Sequence, residues 1–131
     1  MGVILGIEST AHTFSFGAVS SDGKDVLASH SSLYRPEEGG IHPREAADHH
    51  VESSRSLLEG AISDWSVAKS DIDAVAFSQG PGLGPCLRVG GSVARSISMA
   101  LGIPLIGVNH CVAHIEIGRR MTGCIDPVLL Y

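Results

Sequence analysis

A chain of 131 residues with 44% hydrophobic side chains is long enough to bury one core and fits a single domain. Its formal net charge of −5 excludes a broad basic surface, so any nucleic acid would have to meet a local patch or a basic partner; Arg119 and Arg120 are the only adjacent basic pair. Cys86, Cys111 and Cys124 are odd in number and widely spaced, which argues against a disulfide scaffold, and no segment reads as a leader or reaches membrane-spanning length, so the expectation is a soluble, cytoplasmic protein without membrane contact.

In chain order, residues 3–7 form a short apolar strand and residues 13–19 alternate small and apolar side chains as a second strand does. Glu8-Ser9-Thr10-Ala11-His12 is the polar turn between them. Ser20-Ser21-Asp22-Gly23 is a strong second turn, and residues 25–32 complete an antiparallel ribbon. Residues 35–41, with Pro36 and Gly39-Gly40, make a loop expected to move or to close over something.

Pro43 suits a first helical turn, and a helix follows over residues 44–65. Ala47, Val51, Ser54, Leu58, Ala61 and Ile62 supply its inward face, widened by Leu57 and Trp65. After a break at Ser70-Asp71, residues 72–78 read as a buried strand. A glycine-rich turn over 80–85 leads into a helix over 87–101 carrying the small residues Gly90, Gly91, Ala94 and Ser98. Residues 105–108 form another strand, 109–119 another helix, and 127–130 a last strand on which the sequence stops. This order predicts an α/β fold with a mixed sheet, its functional loops at the strand ends, and one lobe of a larger protein.

Four segments carry chemistry, each with a plainer reading beside it. Ser9 and Thr10 offer hydroxyls and backbone N–H groups suited to a phosphate or a phosphate-bound metal, although a simple hairpin turn explains them too. Glu8 is harder to explain structurally, because a carboxylate ending an apolar strand is costly unless paired or solvated. Ser78-Gln79-Gly80-Pro81-Gly82-Leu83-Gly84-Pro85 is neither the dinucleotide fingerprint nor a P-loop, yet its place between strand and helix suits close approach of backbone to a phosphate or acyl group; tight packing of the helix on the sheet is the competing explanation.

In His42-Pro43-Arg44-Glu45-Ala46-Ala47-Asp48-His49-His50, the four-residue spacings of Glu45 with His49 and of Ala46 with His50 suit a salt-linked surface helix. His42 lies outside that pattern, at the mouth of the Gly39-Gly40 loop, where it would face a ligand and is a candidate general base. His110 and His114 share one helix face, where they can close on a single metal ion or serve as ordinary polar side chains. Cys111, about a quarter turn away, is read as a structural thiol.

Together, Gly6-Ile7-Glu8-Ser9-Thr10-Ala11-His12-Thr13, the His42 to His50 segment, Gln79-Gly80-Pro81-Gly82-Leu83-Gly84 and Asn109-His110-Cys111-Val112-Ala113-His114 resemble the universal tRNA threonylcarbamoyladenosine synthesis family, once labelled a sialoglycoprotein endopeptidase. The Ala11-His12-Thr13 opening and the ending Asp126-Pro127-Val128-Leu129-Leu130-Tyr131 are similar to the archaeal and eukaryotic branch, whose members belong to the KEOPS complex.

The resemblance implies the N-terminal lobe of an actin-like ATPase (ASKHA) fold over residues 1–131, with the C-terminal lobe absent from this sequence. It implies transfer of threonylcarbamoyl from threonylcarbamoyl-adenylate to N6 of adenosine 37 in tRNAs that read ANN codons, with ATP or ADP as a further ligand. His110, His114 and Tyr131 would be ligands of one iron or zinc ion; Glu8 and His42 would be catalytic; Ser9, Thr10, Gln79, Gly80, Gly82 and Gly84 would bind the nucleotide.

Implied partners are tRNA, a Bud32-type kinase, a Cgi121-type subunit and a Pcc1-type small subunit, the last set against the helices beginning near Arg44 and Leu87. The isolated segment, with half a metal site and half a cleft, would be inactive. A noncatalytic nucleotide-binding scaffold is the alternative. A metalloprotease is disfavoured because Cys111, Val112 and Ala113 leave no glutamate between the histidines.

Overall fold

The computed structural model describes residues 2–64 and 68–129. Its elements are β1 (Val3–Glu8), β2 (Thr13–Ser20), β3 (Val26–Leu33), α1 (Pro43–Asp64), a short 3-10 turn (Lys69–Asp71), β4 (Ile72–Gly80), α2 (Gly84–Leu101), β5 (Leu105–Asn109) and α3 (His110–Thr122). The strands form one sheet in the order β3-β2-β1-β4-β5. β1, β2 and β3 make the expected antiparallel ribbon, whereas β4 and β5 run parallel to β1. The predicted mixed sheet is therefore present, and the carboxyl ends of β1, β4 and β5 lie along one edge.

Strict alternation sorts the two faces of the sheet. Val3, Leu5 and Ile7 of β1, with Phe14, Phe16 and Ala18 of β2, are buried and form the core with Val75, Ala61 and Ala94. The register sets Leu5 beside Val75 and Ile7 beside Phe77, so the buried rows stay in line across three strands. Ile4, Gly6 and Glu8 point to the other face, where with Ala76, Ser78, Val108 and Ala113 they line a trough of about 320 Å³.

α1 buries Ala46, Ala47, His50 and Ala61, with Leu57 and Leu58 packed against the core. Val51, read from the sequence as part of that inward face, is 58% exposed, and His50 is fully buried where a surface residue was expected. The stripe is rotated by about one residue because the ring of His50 is accommodated against Phe14, their centroids 5.5 Å apart. Trp65 lies outside the described residues.

The small residues of α2 face the sheet: Gly90, Ala94 and Ser98 are buried. Gly90 is required by a close approach, since a Cβ there would run into the Ser9 hydroxyl and stand 2.8 Å from Ser9 Cβ. Gly102, at φ 68°, ends α2 in the left-handed conformation and donates its N–H to the Ser98 carbonyl. The last strand expected from the sequence is not formed over residues 127–129, which are in neither helix nor strand. Those residues make no ladder, and Val128 is 97% exposed.

Candidate functional site

Ligand crevices in α/β sheets form beyond the carboxyl ends of parallel strands, and three of the four motif segments meet there. β1 ends in Glu8 and runs into the Ser9-Thr10-Ala11-His12 turn; β4 ends in the glycine turn; β5 ends at Asn109, which opens α3. Asn109 is a capping residue, its side-chain oxygen accepting the N–H groups of Cys111 at 2.9 Å and Val112 at 3.2 Å. That cap fixes the first turn of α3 and with it the position of His110.

Glu8 bridges the segments. Its Oε1 accepts the Thr10 N–H at 2.5 Å and its Oε2 stands 3.1 Å from His110 Nδ1. Thr10 Oγ1 faces the same nitrogen at 3.5 Å. A carboxylate only accepts, so Nδ1–H of His110 donates, and Nε2 carries the lone pair in the neutral ring. The cost of a carboxylate ending an apolar strand is offset by these donors and by its partial exposure, 33% for the side chain.

His114 Nε2 lies 3.2 Å from His110 Nε2, with the rings edge to face at 4.5 Å between centroids. The four-residue helical spacing thus aims two imidazole nitrogens at one point. Two nitrogens bound to one ion at about 2.0–2.1 Å each would stand at a similar separation, so the donor set fits a metal. The carboxylate on the far nitrogen of His110 is the arrangement that orients metal-binding imidazoles. Among the described residues no group of three or more His, Cys, Asp and Glu side chains converges in this way, and Tyr131 lies outside them.

The remaining motif residues divide. The Ser9 side chain turns into the core against α2; its hydroxyl has no hydrogen-bond partner among the described residues, while its N–H donates to Ser78 Oγ at 3.1 Å. The N–H groups of Ser9 and Thr10 are therefore engaged by the protein itself. Leu83 N–H donates to the Thr10 carbonyl at 2.7 Å, and Gly82 passes so close that a Cβ would stand 2.5 Å from that oxygen. Gly80, at φ 147°, makes the turn out of β4, the Gln79 side chain lies over Gly107, and Gly84 begins α2 with open space beside it. His42 is exposed before α1, and no hydrogen bond of its ring joins it to Glu8 or His110 among the described residues.

Two contributors were not assigned from the sequence. Ser78 holds the turn from β4, and the signal for it was a lone hydroxyl at a buried position of an apolar strand. His50 reaches the same turn from α1, its Nε2 2.8 Å from the Ala11 carbonyl, and burial lowers the pKa of this ring from its ordinary value, which favours the neutral form. The signal was its place in the helical stripe of Ala46, Ala47, Leu57 and Ala61.

The chain from residue 25 to 131 matches the TsaD family model, tRNA N6-adenosine threonylcarbamoyltransferase. It is 55% identical over 129 residues to the tRNA N6-adenosine threonylcarbamoyltransferase of Caldivirga maquilingensis, covering 98% of this chain and 38% of that protein. It is 51% identical to a probable bifunctional tRNA threonylcarbamoyladenosine biosynthesis protein of Thermoplasma acidophilum, covering 98% of this chain and 24% of that protein. The chain thus spans well under half the length of these relatives. Among solved structures, YeaZ from Pseudomonas aeruginosa superposes with a TM-score of 0.66 at 24% identity over 94% of this chain and 51% of that one. RuvC from T. thermophilus, in complex with a Holliday junction substrate, superposes at 0.54 and 13% identity over 99% of this chain and 84% of that one. Both have the actin-like ATPase fold, and the five-stranded mixed sheet with its helices gives this chain the same fold.

Proposed function

The chain belongs to the tRNA N6-adenosine threonylcarbamoyltransferase family, and from that premise we propose that it is the N-terminal lobe of an enzyme that transfers threonylcarbamoyl from threonylcarbamoyl-adenylate to N6 of adenosine 37 in ANN-decoding tRNAs. The observation that supports this reading is the meeting of Glu8, Thr10, His110 and His114 at the carboxyl ends of β1 and β5. In the reaction the N6 amine attacks the carbamoyl carbonyl, a C–N bond forms, the carbonyl–phosphate C–O bond breaks, AMP leaves and the amine loses a proton.

His110 and His114 would hold one iron or zinc ion through Nε2, with Tyr131 as a further ligand. That ion would supply positive charge to anchor the acyl-adenylate and polarise its carbonyl. Glu8 keeps the His110 ring in one tautomer and orientation. Thr10, through its hydroxyl, and the turn of Gln79, Gly80, Gly82 and Gly84 would take the nucleotide, ATP or ADP included. His42, exposed before α1, is the candidate to receive the N6 proton.

The chain is acidic, so tRNA would be recruited largely by partners, for which the KEOPS subunits are the proposal: a Bud32-type kinase, a Cgi121-type subunit and a Pcc1-type small subunit. Val51, Ser54, Arg88, Val89 and Ser92 line a groove between α1 and α2 that suits the small subunit. No helix among the described residues is long and apolar enough to cross a membrane; the cytoplasmic location is proposed from the tRNA substrate.

The test uses the full-length protein with those partners, tRNA and threonylcarbamoyl-adenylate, and reads the modified base. His110→Ala and His114→Ala should each lower bound metal and tRNA modification together, by at least about tenfold. Full metal stoichiometry in both variants would remove the histidines from the metal site, and no modified base from wild-type enzyme would remove the transferase reading.

A further inference from the structure

His50 is completely buried, yet it is not used as an apolar filler. Its Nε2 lies 2.8 Å from the Ala11 carbonyl, and a carbonyl only accepts, so Nε2–H donates. In the neutral ring Nδ1 is then bare. His49 Nδ1 lies 3.1 Å from it and must be the donor of that pair. His49 Nε2 stands 2.9 Å from Ser32 Oγ on β3, a hydroxyl that can donate to it. Three elements are thus tied in one polarised chain: β3 to α1 at Ser32, His49 to His50 within α1, and α1 to the turn at Ala11.

The turn is the one that carries Glu8 and Thr10. Its other supports are independent: Leu83 N–H on the Thr10 carbonyl, Tyr34 N–H on the His12 carbonyl at 2.7 Å, and Ser78 on Ser9 N–H. Among the described residues, His50 alone reaches the Ala11 carbonyl, between Thr10 and His12. A leucine of similar bulk would fill the space against Phe14 but leave that carbonyl free to rotate, and with it the peptide that joins Ala11 to His12.

We infer that His50, oriented by His49 and Ser32, is a positioning residue that sets the Glu8 to His12 turn in register with His110. The inference rests on the transferase reading for its kinetic consequence and on geometry alone for its structural one. Opposite tautomers on neighbouring histidines are its signature: His50 protonated at Nε2, His49 at Nδ1. Simple packing requires neither.

The experiment compares His50→Leu, His50→Gln and His50→Asn in the full-length protein with its partners. The Gln amide nitrogen reaches the place of Nε2, whereas that of Asn stops near Nδ1. The expected result is a kcat for transfer lowered at least tenfold in the Leu and Asn variants and within threefold of wild type in the Gln variant, with Gln and Asn matched in thermal stability. Nitrogen-15 spectra of labelled histidines should show the two opposite tautomers in wild type. Activity that falls in step with stability across all three variants, or reversed tautomers, overturns the inference. Should wild-type enzyme transfer nothing, the transferase reading fails, and the Thr10 and His12 backbone amide shifts then decide: displaced by Leu and Asn but not by Gln they support the positioning role, and unmoved they overturn it.

Discussion

Glu8 shows how one side chain takes its role from its surroundings. As the last residue of an apolar strand it carries an energetic cost, and Thr10 N–H and His110 Nδ1–H meet that cost while turning the carboxylate into an orienting group. A carboxylate already occupied by two donors is poorly placed to act as a free base, which moves proton transfer toward another group such as His42. Glu8→Gln keeps volume and an acceptor oxygen but removes the charge. It should weaken metal binding by the full-length protein by about 10–100-fold. Global stability should change by no more than about 1 kcal/mol. Titration of the metal-free protein with zinc checks the affinity and denaturant unfolding checks the stability, and wild-type zinc affinity would make Glu8 a turn residue only.

At the scale of elements, α2 lies close to the sheet because its inward face is built from small side chains. Gly90 and Gly91 are adjacent in sequence and different in consequence. A Cβ at Gly90 meets Ser9, a short side chain at the end of β1 that has little room to yield, whereas a Cβ at Gly91 meets the Phe77 ring at 3.6 Å, an ordinary contact. Gly90→Ala should therefore cost about 1–3 kcal/mol by overpacking. Gly91→Ala should be neutral or stabilise by up to about 1 kcal/mol through helix propensity. Denaturant unfolding of both variants in the full-length protein separates them; equal effects would mean that α2 shifts freely and that the contact with Ser9 sets nothing.

For the whole molecule, the instructive surface is the sheet face opposite α1 and α2. Ile4, Gly6, Ala76 and Val108 leave an apolar trough there, and Glu8 and Ser78 bring it to the edge of the histidine site. The relatives are more than twice as long as this chain, and the proposed second lobe would account for the surface. If the trough is covered in the full-length protein, Ile4→Glu buries an unpaired carboxylate and should lower stability by several kcal/mol, read as a large fall in the melting temperature. An exposed trough would tolerate the change within about 0.5 kcal/mol, and that result would show the face to be open to solvent in the complete protein.

Local signals in the sequence determined the elements. Alternation marked β2, the short apolar run of residues 3–7 marked β1, the apolar run from Ile72 marked β4, and turn residues such as Ser20 to Gly23 and the glycine-rich run over 80–85 marked where strands stop. The paired histidines of α3 were legible for the same reason, since a helix converts a spacing of four into a shared face. Tertiary structure decided what depends on partners far along the chain. His50 was read as a surface residue because helical spacing identifies a stripe but not which side chain Phe14 will receive; Val51 took the exposed place instead. The join of Glu8 to His110 spans 102 residues and exists only because β1, β4 and β5 are parallel neighbours whose ends coincide. No local pattern encodes that pairing, and residues 127–129 show the converse: an apolar run reads as a strand, but without a ladder it does not become one.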